Sequence, residues 1–233
     1  MLINLLFHKI KPAYSPLLEK TFQHLERKYP ILLPGEKIPP FKTSLCLTFD
    51  DGYFDFYYYV FPLLKKLKLK ALLAVSAGTL QEKSQLAPEK RLALLENGHF
   101  FPGPKIKEKA FCPNSTALAG QALKAKGKAA KKNILPPADA FCSCDELKEM
   151  LQSGLVQIAS HSFSHASLTR PETDLKKEVL FSKMVLEEKL QAPIQSFVYP
   201  YGHFDPSIHR FVKKHYRYIF RIGSALNFSW HNF

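Results

Sequence analysis

Residues 44–52, SLCLTFDDG, decide the fold class of this chain. The first six residues form an apolar run of strand length, which ends abruptly at the acidic turn Asp50-Asp51-Gly52. The aromatic-rich segment 56–69 follows, and it predicts a helix with a local kink at Pro62. A buried strand that leads through a polar turn into a helix is typical of an α/β protein with parallel strands.

Apolar runs and helical patterns alternate along the rest of the chain. Two S/T-x-x-E patterns predict helix-capping boxes, one formed by Ser143 with Glu146 and one by Thr169 with Glu172. We therefore expect one α/β domain over 1–233, with an irregular Lys/Ala/Pro-rich insert at about 77–140. The strand candidates are 2–10, 44–49, 70–75, 155–160, 196–199 and 218–222, and the helix candidates are 15–29, 56–69, 91–96, 143–152, 169–190 and a segment that begins at 205.

The composition indicates a globular protein with a sizeable core. Apolar residues make up 46% of the 233 residues and aromatic residues 13%, which argues against a disordered chain. The N-terminal residues 1–7 are apolar, but this run is too short for a signal-peptide core or a membrane span. We interpret it as a buried first strand. This interpretation favours a cytoplasmic location, with association with the cell envelope as the alternative.

Much of the net charge of +13 lies in the insert, because residues 105–132 contain eight lysines and one glutamate. Such a segment fits either a solvated lysine surface or a contact with an anionic glycan or a membrane surface. Almost no aromatic residues are interleaved with these lysines, so no nucleic-acid partner is expected. We expect the segment to be exposed and mobile.

Three polar motifs each follow a predicted strand: TFDDG at 48–52, HSFSH at 161–165 and YPYG at 199–202. Each motif alone is also compatible with an ordinary polar turn. Together they would gather on one rim, because the carboxyl ends of parallel strands face the same way. One carboxylate with two histidines is a metal-binding set that leaves coordination positions open for water and substrate. The second carboxylate could then act as a base toward that water.

These residues resemble the polysaccharide deacetylase family, whose domain is called the NodB-homology domain. The similar stretches are LCLTFDDGYFDFYYYVFPLLKKLKLKALLAV, CDELKEMLQSGLVQIASHSFSHASL and FVYPYGHFD. The sequence LLFH at 5–8 also resembles the first strand of the family, which often ends in Tyr-His. The resemblance implies a distorted, incomplete (β/α) barrel. It also implies a hydrolase that removes N-acetyl groups, and in some members O-acetyl or formyl groups, from glycans.

The resemblance further implies a role for each motif residue. Asp50 would be the catalytic base, and Tyr201 would offer its backbone N–H to the oxyanion. The implied ligands of a divalent metal, zinc first with cobalt or nickel as alternatives, are Asp51, His161 and His165. The residues expected to contact the substrate, an acetylated glycan, are Pro200, Gly202 and His8.

Two departures from the family pattern leave alternatives open. Many members carry an arginine two residues before the proline of the third motif, where it orients the base, and Val198 occupies that position here. Members also usually carry a late histidine as general acid. After Gly202 the only histidines are His203, His209, His215 and His231, and none is a clear candidate, which predicts a slow enzyme. The alternatives are a glycan-binding protein on a degenerate deacetylase fold, and a deformylase or small-amide hydrolase that uses the same site.

Overall fold

The computed structural model describes residues 1–97, 137–221 and 227–230. Within these ranges six parallel strands form one sheet, in which each strand pairs with its neighbour in sequence. The sheet curls into a half-barrel, which confirms the predicted incomplete (β/α) barrel. The strands are β1 (Leu2–Phe7), β2 (Ser44–Phe49), β3 (Ala71–Val75), β4 (Val156–Ser160), β5 (Ser196–Val198) and β6 (Tyr218–Phe220).

Helices connect successive strands along the sheet. Among the described residues, no helix has the length and apolar character needed to cross a membrane. π-Helical turns precede two of the helices, at Phe56–Val60 and Lys176–Phe181. The helices are α1 (Ser15–Lys28), α2 (Phe61–Leu67), α3 (Pro88–Asn97), α4 (Cys144–Gln152), α5 (Ser182–Leu190) and α6 (Pro206–Lys213).

Alternate residues of the strands belong to two separate hydrophobic clusters. The larger cluster packs the helices against the sheet and includes Leu47 and Leu73. The smaller cluster lies on the opposite, concave face and includes Cys46, Leu72 and Trp230. Because both faces of the sheet are covered, β2 and β3 are buried along their whole length, as is typical of parallel strands.

Pro62 marks the point where the predicted helix over 56–69 departs from regular geometry. Inside an α-helix, proline lacks the N–H for the i−4 carbonyl and its ring collides with that carbonyl. Here the residues before it, Phe56–Val60, form the π-helical turn, and Pro62 lies in the first turn of α2, where its N–H is not needed. The predicted irregularity is confirmed, and it takes the form of a widened turn.

The two predicted capping boxes have different outcomes. The box of Ser143 with Glu146 is confirmed at the start of α4, with both reciprocal hydrogen bonds present. The box of Thr169 with Glu172 is wrong, because helical structure begins only after Asp174. The carboxylate of Asp174 accepts hydrogen bonds from the N–H groups of residues 176 and 177, at 3.0 and 3.2 Å. An aspartate that accepts from two otherwise unpaired N–H groups is the stronger N-cap.

The described ends of the 77–140 insert pack against the rest of the fold. Arg91 of α3 is buried, and its guanidinium donates to both carboxylate oxygens of Glu146, at 2.5 and 3.0 Å. It also donates to two backbone carbonyls of the segment before α4. A guanidinium with this many acceptors ties α3 to α4. The lysine-rich segment 105–132 lies outside the described residues.

Candidate active site

Three of the predicted site residues meet at the carboxyl ends of β2 and β4. Asp51, His161 and His165 are buried, and each offers one ligand atom within 4.8 Å of the others. Asp51 Oδ1 lies 3.1 Å from His165 Nε2 and 3.6 Å from His161 Nε2. This geometry brings one carboxylate and two imidazoles to a common point, as a metal-binding set requires.

The two adjacent aspartates point in different directions because the backbone turns left-handed directly after Asp50. Asp51 has a φ of 74° and Gly52 a φ of 70°. A Cβ on Gly52 would also lie 3.1 Å from Val75 Cγ2, so both the positive φ and this close contact favour glycine here. With this turn, Asp51 faces the two histidines, whereas Asp50 Oδ2 lies 3.9 Å from His8 Nε2.

His161 is oriented by a hydrogen bond of 2.8 Å between its Nδ1 and the carbonyl oxygen of Val198. Because a carbonyl can only accept, Nδ1 carries the proton and Nε2 presents its lone pair toward Asp51. Burial, together with the neighbouring His165, lowers the pKa of His161 to about 3. A neutral imidazole whose second nitrogen is held by a backbone carbonyl is the form in which histidine binds a metal.

The environment separates the pKa values of Asp50 and Asp51. Burial, followed by the charge of Asp51, raises the pKa of Asp50 well above its ordinary value. Burial acts on Asp51 in the same sense, but the hydrogen bond from His165 and the nearby histidine charges outweigh it, so the pKa of Asp51 is lowered. Among the described residues, Asp50 Oδ1 is buried without a hydrogen-bond partner. This division suits Asp51 as an ionised ligand and Asp50 as a proton acceptor.

His8 reaches the same rim because β1 ends at Phe7, three residues earlier than predicted. The N–H of Asp50 donates to the carbonyl of Phe7 at 2.9 Å, so His8 leaves the strand directly beside Asp50. Beyond it, the buried carboxylate of Asp55 accepts the N–H of Ile10 at 2.6 Å and fixes the turn. The side chain of His8 is 54% exposed, so it can contact both Asp50 and a molecule in the cleft.

The sequence of this chain matches the profile of a known protein family. The profile of the family described as polysaccharide deacetylase matches residues 37–219. The chain belongs to the polysaccharide deacetylase family. No curated protein matches the sequence.

Several solved structures share the fold of this family member. A polysaccharide deacetylase from Bacillus cereus superposes with a TM-score of 0.61 at 19% identity, over 94% of this chain and 56% of that one. IcaB from Ammonifex degensii gives 0.63 at 19%, over 94% and 83%. A de-N-acetylase from Aggregatibacter actinomycetemcomitans gives 0.64 at 19%, over 96% and 88%. This chain thus spans little more than half the length of the Bacillus protein, and these identities establish a common fold.

The third motif of this family member forms a short 3-10 turn, Pro200–Gly202, beside His165. Tyr201 is left-handed, with a φ of 60°, and its ring packs edge-on against the His165 ring at 4.6 Å between centroids. Pro200 is buried, whereas Tyr201 and Gly202 are half-buried. The motif therefore borders the cleft mainly through its last two residues. The role of the Tyr201 N–H and the substrate contacts of Pro200 and Gly202 stay predictions.

The structure explains how this chain uses the position where many family members carry arginine. The side chain of Val198 packs into the concave cluster, and its carbonyl holds His161. His203 is hydrogen-bonded to Ser167 Oγ at 2.7 Å. His209 lies on α6 and His215 in the turn after it, each with its ring against an aromatic neighbour. His231 lies outside the described residues. Among the described residues, His8 is the histidine that pairs with Asp50. In the sequence, only the resemblance of the LLFH stretch to the first strand of the family pointed to His8.

Asp55 makes the stability of the deacetylase fold depend on pH. Burial raises the pKa of Asp55 from 3.8 to about 7, against the lowering effect of the Ile10 N–H. Between these two values the native protein keeps a proton that the unfolded chain has released. Stability from this group is therefore fully present below about pH 4 and is lost as the pH rises through about 7.

We expect the substitution Asp55→Asn to remove this pH dependence. Asparagine keeps an oxygen that can accept the Ile10 N–H, but it cannot ionise. The free energy of unfolding of the variant, relative to the unsubstituted protein, should rise by about 2 kcal/mol between pH 5 and pH 7.5. Urea denaturation at both pH values measures this difference. A difference that stays constant with pH would show that Asp55 titrates normally.

Proposed function

We propose that this chain is a metal-dependent hydrolase that removes N-acetyl groups from an acetylated glycan. The observation that carries the proposal is the convergence of Asp51, His161 and His165 within 4.8 Å, beside the separate carboxylate of Asp50. Membership of the polysaccharide deacetylase family supports the reaction class. A fold shared with the Bacillus cereus protein named as a polysaccharide deacetylase and with the Aggregatibacter de-N-acetylase supports the same conclusion.

The donor set fits a divalent cation. His161 is neutral with its Nε2 toward the cluster, and Asp51 has a lowered pKa and so carries the compensating charge. Two imidazole nitrogens and one carboxylate suit zinc, with cobalt or nickel as alternatives. When bound, such a cation would acidify a water molecule and polarise the acetyl carbonyl.

In this proposal Asp50 takes a proton from the attacking water. Its buried Oδ1 has no hydrogen-bond partner among the described residues, and its raised pKa makes it a stronger proton acceptor than an ordinary carboxylate. The water oxygen then forms a bond to the acetyl carbon, and negative charge develops on the carbonyl oxygen. The backbone N–H of Tyr201 would donate to that oxygen.

His8 is the group that we propose as general acid. Its Nε2 lies 3.9 Å from Asp50 Oδ2, on a side chain that is half exposed toward the cleft. A protonated imidazole there can give its proton to the sugar nitrogen as the C–N bond breaks, which leaves acetate and a free amine. With an acid directly after β1, the lack of a clear late candidate among the histidines no longer implies a slow enzyme.

A cavity of about 620 Å³, lined in part by the segment that follows His8 in the chain, offers room for part of a glycan. Its lining combines the apolar side chains of Leu92 and Leu95, the ring of Tyr59 and the charged groups of Lys9 and Asp55. An aromatic and aliphatic wall with few polar groups is typical of a site that binds a small organic ring. We propose that a sugar next to the reacting residue occupies this cavity.

Acetate release from N-acetylglucosamine oligomers tests the function directly. The purified protein should release acetate, a chelator should abolish the release, and added zinc, cobalt or nickel should restore it. Binding of metal and oligomer without any release would favour a glycan-binding protein on a degenerate fold. Release of formate from formylated sugars, with no acetate from the oligomers, would identify a deformylase instead.

Substitutions at the two aspartates should separate metal binding from turnover. Asp51→Ala and His165→Ala should abolish tight metal binding, because each removes one of three protein ligands. Asp50→Asn should keep the metal and lower the turnover number by roughly a hundredfold or more, because only the base is lost. Calorimetric metal titration and the acetate assay measure the two effects. Equal metal loss in all three variants would refute the assigned division of roles.

The pH profile of the reaction tests His8. The rate should rise as Asp50 loses its proton, above the ordinary carboxyl range because the pKa of Asp50 is raised, and a general acid should add a limb that falls at higher pH. His8→Gln should remove the falling limb and lower the rate by roughly a hundred- to ten-thousand-fold. His203→Ala, on the same rim but bonded to Ser167, is the matched control and should keep both limbs. The reverse result would make His203 the acid.

A further inference from the structure

We propose that Glu178 is a positioning residue that holds His165 in place and thereby sets the affinity of the site for its metal. Glu178 lies in the π-helical turn Lys176–Phe181 before α5, outside all three sequence motifs. The inference rests on the proposed metal site, and it assigns Glu178 no contact with metal or substrate.

The carboxylate of Glu178 binds the loop between the two histidines. Glu178 is only 4% exposed. Its Oε2 accepts the N–H groups of Phe163 and Ser164 at 3.0 and 2.8 Å, and its Oε1 accepts the Ser164 hydroxyl at 2.7 Å. Hydrogen bonds to an ionised acceptor are stronger than those between neutral groups. One side chain therefore satisfies three donors in the short segment between the histidines.

The loop needs such restraint because its backbone is strained. Ser162 and His165 have φ values of 64° and 56°, in the left-handed region that side chains with a Cβ rarely adopt. Such a conformation is unfavourable and persists only where the surroundings of the residue fix it. Without external hydrogen bonds, we expect the segment to relax toward ordinary conformations. Such a relaxation would move His165.

The opposite side of the loop is fixed by the turn after β3. The N–H groups of Ala77 and Gly78 donate to the carbonyls of Ser162 and Phe163, at 3.1 and 2.7 Å. A Cβ on Gly78 would lie 2.7 Å from the Phe163 oxygen, so the approach is too close for any other residue without a shift. The loop is thus held through its carbonyls by this turn and through its N–H groups by Glu178.

Loss of Glu178 should affect the two histidines unequally. His161 keeps its own hydrogen bonds, from its N–H to Val75 and from its ring to Val198. His165 follows the segment that Glu178 holds, and its Nε2 is the ring nitrogen 3.1 Å from Asp51. The expected defect is therefore a misplaced third ligand on an otherwise intact site.

Metal affinity and a cobalt spectrum test this inference. Glu178→Ala should weaken zinc binding by about ten- to a hundredfold, as is usual when a group that orients a ligand is removed. The visible absorption of the cobalt-loaded protein should change in intensity and position, because the ligand geometry changes. Glu178→Gln, which keeps one oxygen for the two N–H groups, should recover most of the affinity. Competition with a chromogenic chelator measures each affinity.

Glu187→Ala is the matched control. Glu187 lies on α5, and its Oε1 accepts the N–H of Ile194 at 2.9 Å, so it also restrains a loop, but one that leads into β5. This variant should leave zinc affinity and the cobalt spectrum unchanged. An equal loss of affinity in Glu187→Ala and Glu178→Ala would overturn the inference, because the effect would then be one of general stability.

Unchanged affinity and spectrum in a folded Glu178→Ala variant would overturn the inference as well. If that variant does not fold, Ser164→Ala, which removes one of the three hydrogen bonds, replaces it and should show a smaller loss of affinity. Wild-type affinity in Ser164→Ala and Glu178→Gln together would again overturn the inference. If the unsubstituted protein itself binds no metal, the proposed function fails, and this inference fails with it.

Discussion

Left-handed backbone at the ends of the strands is the constraint on which the site depends. Asp51, Ser162, His165 and Tyr201 all have φ values between 56° and 74°. For residues with a Cβ, each such conformation costs about 1–3 kcal/mol, so the surrounding hydrogen bonds must overdetermine it. These residues lie two to five positions beyond the ends of β2, β4 and β5, where they turn the chain. The side chains at these turns are thereby directed back over the rim, where they meet.

The curvature of the sheet supplies the rest of the convergence. β2 and β4 are not neighbours, because β3 lies between them, and in a flat sheet two strands so separated are roughly 10 Å apart. Small side chains on the concave face, such as Cys46, Ala74 and Ala159, allow the sheet to curl. Asp51 and His161 can then approach to 3.6 Å across the intervening strand. The same curvature of the sheet therefore gives both the packed concave face and the convergence of the site residues at one rim.

The parts of this arrangement that could be predicted are those with a local signal. The apolar run that stops at Asp50-Asp51-Gly52 predicts a strand and a turn from local sequence alone. The position of His8 depends on the long-range register that pairs Phe7 with Phe49, which no local pattern contains. Glu178 looks like an ordinary helical surface residue until α5 is packed on the loop after β4. The capping prediction at Thr169 failed because a short pattern could not exclude Asp174 as the better cap.

The adjacency of the two aspartates would link Asp50, the proposed base, to the state of the proposed metal site. Two causes raise the pKa of Asp50, its burial and the negative charge of Asp51. A cation held by Asp51 and the two histidines would compensate that charge and so remove the second cause. Val198, unlike an arginine at the same position, provides no permanent positive charge that would lower the pKa of Asp50. Asp50 should therefore ionise more readily when the site is filled, so that the base becomes available where an activated water is present.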